Sequence, residues 1–258
     1  MKKSYPIFGL LVLAWLFSSC EGNSQLVETQ PSTASSQPQT LAPTTEASNA
    51  QEIPSAVPVT SPSAPVLVTS EALVVAQALP VRGRSASSDY SRDAFGTAWK
   101  DVDRNGCDTR NDILQRDFKS VIFKPGTGDC KVVGGTWIDP YSNESYTFSE
   151  PPSGAQIDHV VSLKNAWQMG ADQWDDQMRT EFANDPLNLR VTIASLNQQK
   201  SDSNAASWLP PYKSGRCDFI ATQVAVKAKW QLYVTEAEKE VFITILSKPE
   251  CETTQLPN

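Results

Sequence analysis

The chain of 258 residues contains a single histidine, His159. That scarcity excludes every site built on two imidazoles, the H-E-x-x-H metalloproteases included. No two of the five cysteines form a C-x-x-C pair, which argues against structural zinc. Between Glu21 and Asp89 there is no Phe, Tyr, Trp or Cys. A stretch so poor in large apolar side chains cannot bury enough surface to offset the entropy of ordering it. The apolar run Ile7 to Phe17 is too short to cross a bilayer. A basic excess is missing as well: the net charge is −7, and residues 1–81 carry only two basic and five acidic side chains, so the remainder is also acidic. A broad cationic face for a polyanion is therefore excluded. Any phosphate-binding surface must be a local patch or depend on a bound cation.

The start of the chain speaks for export. Lys2 and Lys3 precede the short apolar run, and Ser18-Ser19-Cys20 follows it, as in the lipobox of bacterial lipoproteins, with Phe17 where Leu is usual. A lipid on Cys20 would hold the chain at a membrane; ordinary signal-peptide cleavage with Cys20 incidental is the alternative. Eight prolines from Pro31 to Pro80, scattered among Ser, Thr, Ala and Gln, give the next segment the composition of a tether. Val66 to Leu79 is its most apolar part and a candidate short strand or helix. Aromatics begin at Tyr90. The expected organisation is a lipoprotein-type signal peptide over 1–20, a linker over 21–83 and a folded domain over 84–258.

Export makes the remaining cysteines, Cys107, Cys130, Cys217 and Cys251, candidates for two disulfides. Of three connectivities, Cys107–Cys130 with Cys217–Cys251 is favoured, and sequence alone does not exclude the other two. Within the domain, Arg110 to Val121 reads as a helix and Lys131 to Ile138 as a strand, with Tyr146 to Phe148 a possible partner. Leu163 to Phe182 has helical spacing, with Trp167, Trp174 and Met178 as candidate core positions. Leu187, Leu189, Val191 and Ile193 alternate as in a half-buried strand. Helices are expected over Asp218 to Val234 and Glu236 to Leu246.

Two polar groups interrupt the apolar run Ile157-Asp158-His159-Val160-Val161. Strand neighbours point to opposite faces, so one of Asp158 and His159 should face inward. After the Leu187–Ile193 strand, Ser195 to Asp202 is expected to open a helix with Asn197 and Lys200 on one face. Strand, strand and short helix, with Asp-His on the first and Asn-x-x-Lys on the last, resembles the HNH nuclease domain of RNA-guided CRISPR effectors. Asn stands at the third motif position rather than His. A wider stretch resembles a secreted HNH branch related to the C-terminal domain of GmrSD-type restriction enzymes. It runs from Tyr90-Ser91-Arg92-Asp93-Ala94-Phe95 through Gly106-Cys107-Asp108-Thr109-Arg110 and Ala183-Asn184-Asp185-Pro186-Leu187-Asn188-Leu189 to Trp208-Leu209-Pro210-Pro211.

The resemblance implies an α+β fold, with a ββα-metal core embedded in a mostly helical, disulfide-stapled domain. It implies an endonuclease acting on DNA, with RNA as the alternative substrate, that leaves a 5′-phosphate and a 3′-hydroxyl. His159 suits a general base because imidazole titrates near neutrality. Asp158 and Asn197 would be oxygen ligands of one Mg²⁺, with Mn²⁺ as substitute. Asn188 would hold the loop that orients His159, and Lys200 and Arg110 would contact phosphate. Each residue also has a bland reading, with Asp158 capping a turn, Asn197 capping a helix and Lys200 solvated. A second metal candidate is Asp101-Val102-Asp103-Arg104-Asn105-Gly106 with Asp112 at the twelfth position, half of a calcium loop without its closing Glu. The competing class of function is a catalytically inactive cell-surface binding or calcium-stabilised interaction module. No protein partner is inferable.

Overall fold

The computed structural model describes residues 70–149 and 154–257. The signal-peptide and lipidation readings, Cys20 among them, and residues 21–69 of the linker lie outside the described residues. The fold begins earlier than residue 84. Helix α1 (Glu71–Ala78) is capped by Ser70, whose hydroxyl accepts from Leu73 N. It buries Ala72, Ala76 and Leu79 in one cluster with α6 (Arg216–Lys229) and α7 (Glu236–Leu246). Val81 then bridges Val234. The helix falls within Val66 to Leu79, the apolar stretch expected as a short strand or helix; it packs through small residues, so a boundary drawn where aromatics start leaves it out.

Helix α2 (Thr109–Asp117) starts at the Asp108 cap and stops at Phe118, short of Val121. Lys119–Phe123 forms strand β1 instead, where Val121, Ile122 and Phe123 favour a pleat. It pairs with β2 (Val132–Ile138), which pairs with β3 (Ser145–Ser149), all antiparallel. Phe118, Trp137 and Phe148 fill the space behind this sheet. The expected long helix over Leu163 to Phe182 divides into α3 (Leu163–Gln168) and α4 (Asp176–Ala183). Gly170, at φ +136°, breaks it, and Asp175 caps the restart through Met178 N. Met178 consequently points outward and is 41% exposed, whereas Trp167 and Trp174 pack around Phe95, Phe182 and Trp230.

Strands β4 (Ala155–His159) and β5 (Leu189–Ile193) pair antiparallel, with Ala155 opposite Ile193 and His159 opposite Leu189. Helix α5 (Ala194–Lys200) follows β5 without a loop. Buried Asp139 ties the two sheets together. Its Oδ2 accepts from Thr192 Oγ1 and Ile193 N, and its Oδ1 from Tyr141 N and Ser142 N. Two disulfides, Cys107–Cys130 and Cys217–Cys251, are the favoured pairing.

Fully buried Lys227 and Glu238 join α6 to α7, with Lys227 Nζ also donating to Asn165 Oδ1. Burial pushes the Lys227 ammonium pKa down, and the Glu238 carboxylate pulls it back up. Lys227→Met would strand that carboxylate, so the variant should lose about 3–5 kcal/mol of stability. A urea midpoint equal to wild type would show that the pair is not held as described.

Candidate active site

Alternation along β4 sends its polar groups two ways. Gln156 and Asp158 share one face and His159 takes the other. Helix α5 covers the first face. Lys200, fully buried, places Nζ 2.8 Å from Asp158 Oδ1 and 2.7 Å from the His159 carbonyl oxygen. The Tyr141 hydroxyl donates to Asp158 Oδ2 at 2.7 Å. Burial raises the Asp158 carboxyl pKa, opposed by the Lys200 charge and by both hydrogen bonds. Burial and the neighbouring Asp158 charge hold Tyr141 well above the usual phenol range, so it stays a donor. Lys200 is therefore not the phosphate contact the resemblance implied. Three residues along a helix do share a flank, but the long stem of Lys200 runs inward, where a buried carboxylate needs a counter-charge.

On the opposite face, His159 Nε2 lies 2.8 Å from the carbonyl oxygen of Ala183. A carbonyl has no proton to give, so Nε2 carries the hydrogen and Nδ1 keeps its lone pair. That carbonyl belongs to the last residue of α4, one of the four a helix cannot satisfy internally. Burial lowers the imidazole pKa to about 4 against the partial support of this bond, and Arg92 and Lys200 lower it further. The ring is neutral at physiological pH. Trp99 lies nearly parallel to it, with centroids 6.3 Å apart.

Asn188 sits beyond the imidazole, not against it. Asp185 caps a 3₁₀ turn, Pro186–Asn188, at whose end Asn188 is fully buried. Its backbone oxygen accepts from Val160 N at 2.8 Å. Its side chain brackets Val161, with Oδ1 accepting from N at 2.8 Å and Nδ2 donating to O at 3.1 Å. The chain leaving His159 is pinned by Asn188, while the ring itself is oriented by Ala183.

Asn197 Nδ2 donates to Gln156 Oε1 at 2.8 Å, and its Oδ1 has no partner among the described residues. Asn197, Gln156, Asp158, His159 and Asp202 border one open cleft of about 220 Å³. Each Asp158 oxygen accepts one hydrogen bond and has a further lone pair. One engaged carboxylate and one free amide oxygen beside a water-accessible cleft fit a magnesium-type ion, which keeps most of its waters. They do not fit a cation that demands a protein cage: among the described residues no group of three or more His, Cys, Asp or Glu is arranged to hold a metal ion.

Arg110 does not join these groups. It occupies the first turn of α2, half-buried, and borders neither the cleft nor the cavity on the other side of His159. In the 101–112 loop, Asn105 Nδ2 donates to both Asp103 Oδ2 and Asp112 Oδ1, and Asp101 Oδ2 accepts from Gly106 N. An amide donor thus stands between the expected calcium ligands. A cation there would require the Asn105 amide to turn round.

Tyr141, Gln156, Arg92, Trp99 and the Ala183 carbonyl all went unseen as site groups in the sequence. Arg92, in Tyr90-Ser91-Arg92-Asp93, and Ala183, in Ala183-Asn184-Asp185-Pro186, stand in stretches that carry the resemblance; the other three have no such signal. The chain matches the model of the C-terminal domain of GmrSD restriction endonucleases over residues 108–245. It is 36% identical over 196 residues to an uncharacterized secreted protein of Arthroderma benhamiae, an alignment covering 75% of this chain and 91% of that protein. No solved structure matches it significantly. With β4, β5 and α5 and the groups they carry all inside the matched segment, the chain belongs to the GmrSD restriction endonuclease C-terminal domain family.

Proposed function

We propose that this chain is an exported, divalent-metal-dependent endonuclease of the HNH type, hydrolysing phosphodiester bonds of DNA, with RNA as the alternative substrate. The observation that carries the proposal is the His159 imidazole. It is neutral, fixed through Nε2–H by Ala183, without a partner at Nδ1 among the described residues, and it borders an open cleft. Nδ1 takes a proton from a water whose oxygen attacks phosphorus. The bond from phosphorus to the 3′ oxygen breaks, and that oxygen leaves as a hydroxyl after taking a proton from solvent. Asp158 and Asn197 would hold Mg²⁺, with Mn²⁺ as substitute, and the ion would neutralise charge on the phosphate and on the leaving oxygen. Lys200 and Tyr141 fix the Asp158 carboxylate so that its remaining lone pairs stay in place.

Export is supported by the secreted relative and by the two disulfides, which persist in oxidising compartments. A lipid at Cys20 would add an anchor to this reading. Plasmid incubated with the purified chain should be nicked with Mg²⁺ and left intact with EDTA. Asn197→Ala should slow nicking by more than roughly tenfold, since even outer-shell groups at metal sites are worth about 10–100-fold. Cleavage undiminished in EDTA would sink the metal mechanism.

A further inference from the structure

His159 borders a second cavity besides the cleft. This one, of about 270 Å³, is walled by Phe95, Gly96, Trp99, Leu163 and Asn184, with Arg92 and Asp93 at its edge. Arg92 and Leu163, like His159, also border the cleft. The two spaces therefore adjoin along one ridge, and the base sits on it.

The wall opposite α4 is built by residues 91–99. Ser91 caps a 3₁₀ turn, Arg92–Phe95, and Arg179 Nε on α4 holds that turn through the Ala94 carbonyl at 2.9 Å. Gly96 follows at φ +76°, so close to α4 that a Cβ there would lie 2.4 Å from Thr180 Oγ1. Trp99 closes the wall at φ +59°, a backbone state that a bulky side chain occupies only when its surroundings impose it. Phe95 is fully buried behind it. The 91–99 segment lies before residue 108, where the family match begins, whereas the α4 residues that hold it lie inside the match.

Arg92 is exposed and has no hydrogen bond or ion pair among the described residues, and its charge is felt at the His159 ring. In a chain of net charge −7, an unpaired guanidinium beside the base is the local cation that a phosphate needs. Asp93 at the same edge repels a second phosphate on that side, so the cavity suits the uncharged part of a nucleotide.

We propose that this cavity is a subsite for one unstacked nucleotide next to the scissile phosphate. Arg92 contacts the phosphate, and Trp99, backed by Phe95, receives the base. The inference rests on the nuclease reading and gives it a substrate class, single-stranded or locally opened nucleic acid. A base inside a duplex is stacked on both faces and cannot enter a walled pocket without leaving the stack. Aromatic platforms accept any base, because every base has a π-face.

The test is binding of a fluorescent oligothymidylate, alone and annealed to its complement, to the full chain carrying His159→Ala, so that cleavage does not interfere. The single strand should bind roughly tenfold more tightly than the duplex, the size of a stacking contact. Adding Trp99→Ala should remove that difference, Trp99→Phe should keep most of it, and Arg92→Ala should weaken both forms. Nicking by the chain with its histidine intact is measured in parallel. If that chain cleaves but duplex and single strand bind alike, or the preference survives Trp99→Ala, the subsite is wrong and the nuclease reading stands. If nothing cleaves and the Trp99-dependent preference persists, the nuclease reading falls, and with it the placement beside a scissile phosphate, while the cavity stands as a binding site for an unstacked nucleotide. Loss of all binding with Trp99→Phe, in a chain that still melts cooperatively, would also overturn the base-platform role.

Discussion

Replacing His159 by Ala is expected to reduce cleavage by about 10²–10⁴-fold, the usual contribution of a general base. The variant should remain folded and metal-competent, because Asp158 and Asn197 are untouched. It leaves the Ala183 carbonyl without its donor, at a cost of about 1–3 kcal/mol. The pH profile supplies a sharper test. A base works in its neutral form, so the rate should rise with pH and level off above the imidazole pKa. For an unburied histidine the bend would lie near 6.5; burial moves it to about 4. Activity should consequently be flat from pH 5.5 to 8, as far as this group decides it. Stability follows the same group with the same sign. The folded pKa is depressed, so the unfolded chain binds the proton more readily. The stabilisation from keeping His159 neutral is complete above pH 6.5 and is lost as pH falls towards 4. A rate profile bending near 6.5 would mean that the ring is solvated in the working enzyme. Near-normal cleavage by folded His159→Ala would remove the base from the mechanism, and no second histidine exists to replace it.

Lys200→Met is expected to be among the most destabilising substitutions near the site, costing about 3–5 kcal/mol. The ammonium is fully buried and is the only cation hydrogen-bonded to Asp158 among the described residues. Without it the Asp158 carboxyl, already raised by burial, is raised further, and the bond to the His159 carbonyl is lost too. A surface lysine holding phosphate would behave differently, losing activity with the melting temperature unchanged. A double-mutant cycle separates the two cases. Adding Asp158→Asn to Lys200→Met removes the stranded charge and should return part of the stability, while cleavage stays low because the proposed metal ligand is weakened. Additive losses from the two substitutions would show that the pair does not interact.

Much of this site was legible because short-range chemistry imposes it. The alternating run is a strand from Leu189 to Ile193, with Leu187 in the 3₁₀ turn before it, and Asp158-His159 ends the strand that pairs with it. The Asp185 cap of the turn before β5 is local, but Asn188 meets the end of β4 through bonds to Val160 and to Val161, the latter 27 residues away in the chain. Met178 leaves the core because helical spacing does not carry across Gly170, where the chain changes direction and the phase of the apolar face is lost. The first part of β1, Lys119 to Val121, falls inside the expected helix because Val121, Ile122 and Phe123 form too short an apolar run for periodicity to distinguish a strand from a helix.

By itself, the sequence determined which residue types meet and in what order. It held one imidazole beside a carboxylate, an Asn-x-x-Lys helix after a strand, and four cysteines whose favoured pairing is the one formed. Tertiary structure decided what each group faces. Lys200 turns inward because Asp158 and Tyr141, 17 residues apart in the chain, meet beneath α5. The carbonyl that selects the His159 tautomer comes from the end of α4, 24 residues away. Arg92 reaches the base only because the 91–99 segment is fastened to α4 through Arg179 and Gly96. Burial, tautomer and counter-charge are properties of a side chain's surroundings, and those surroundings are assembled from segments distant along the chain.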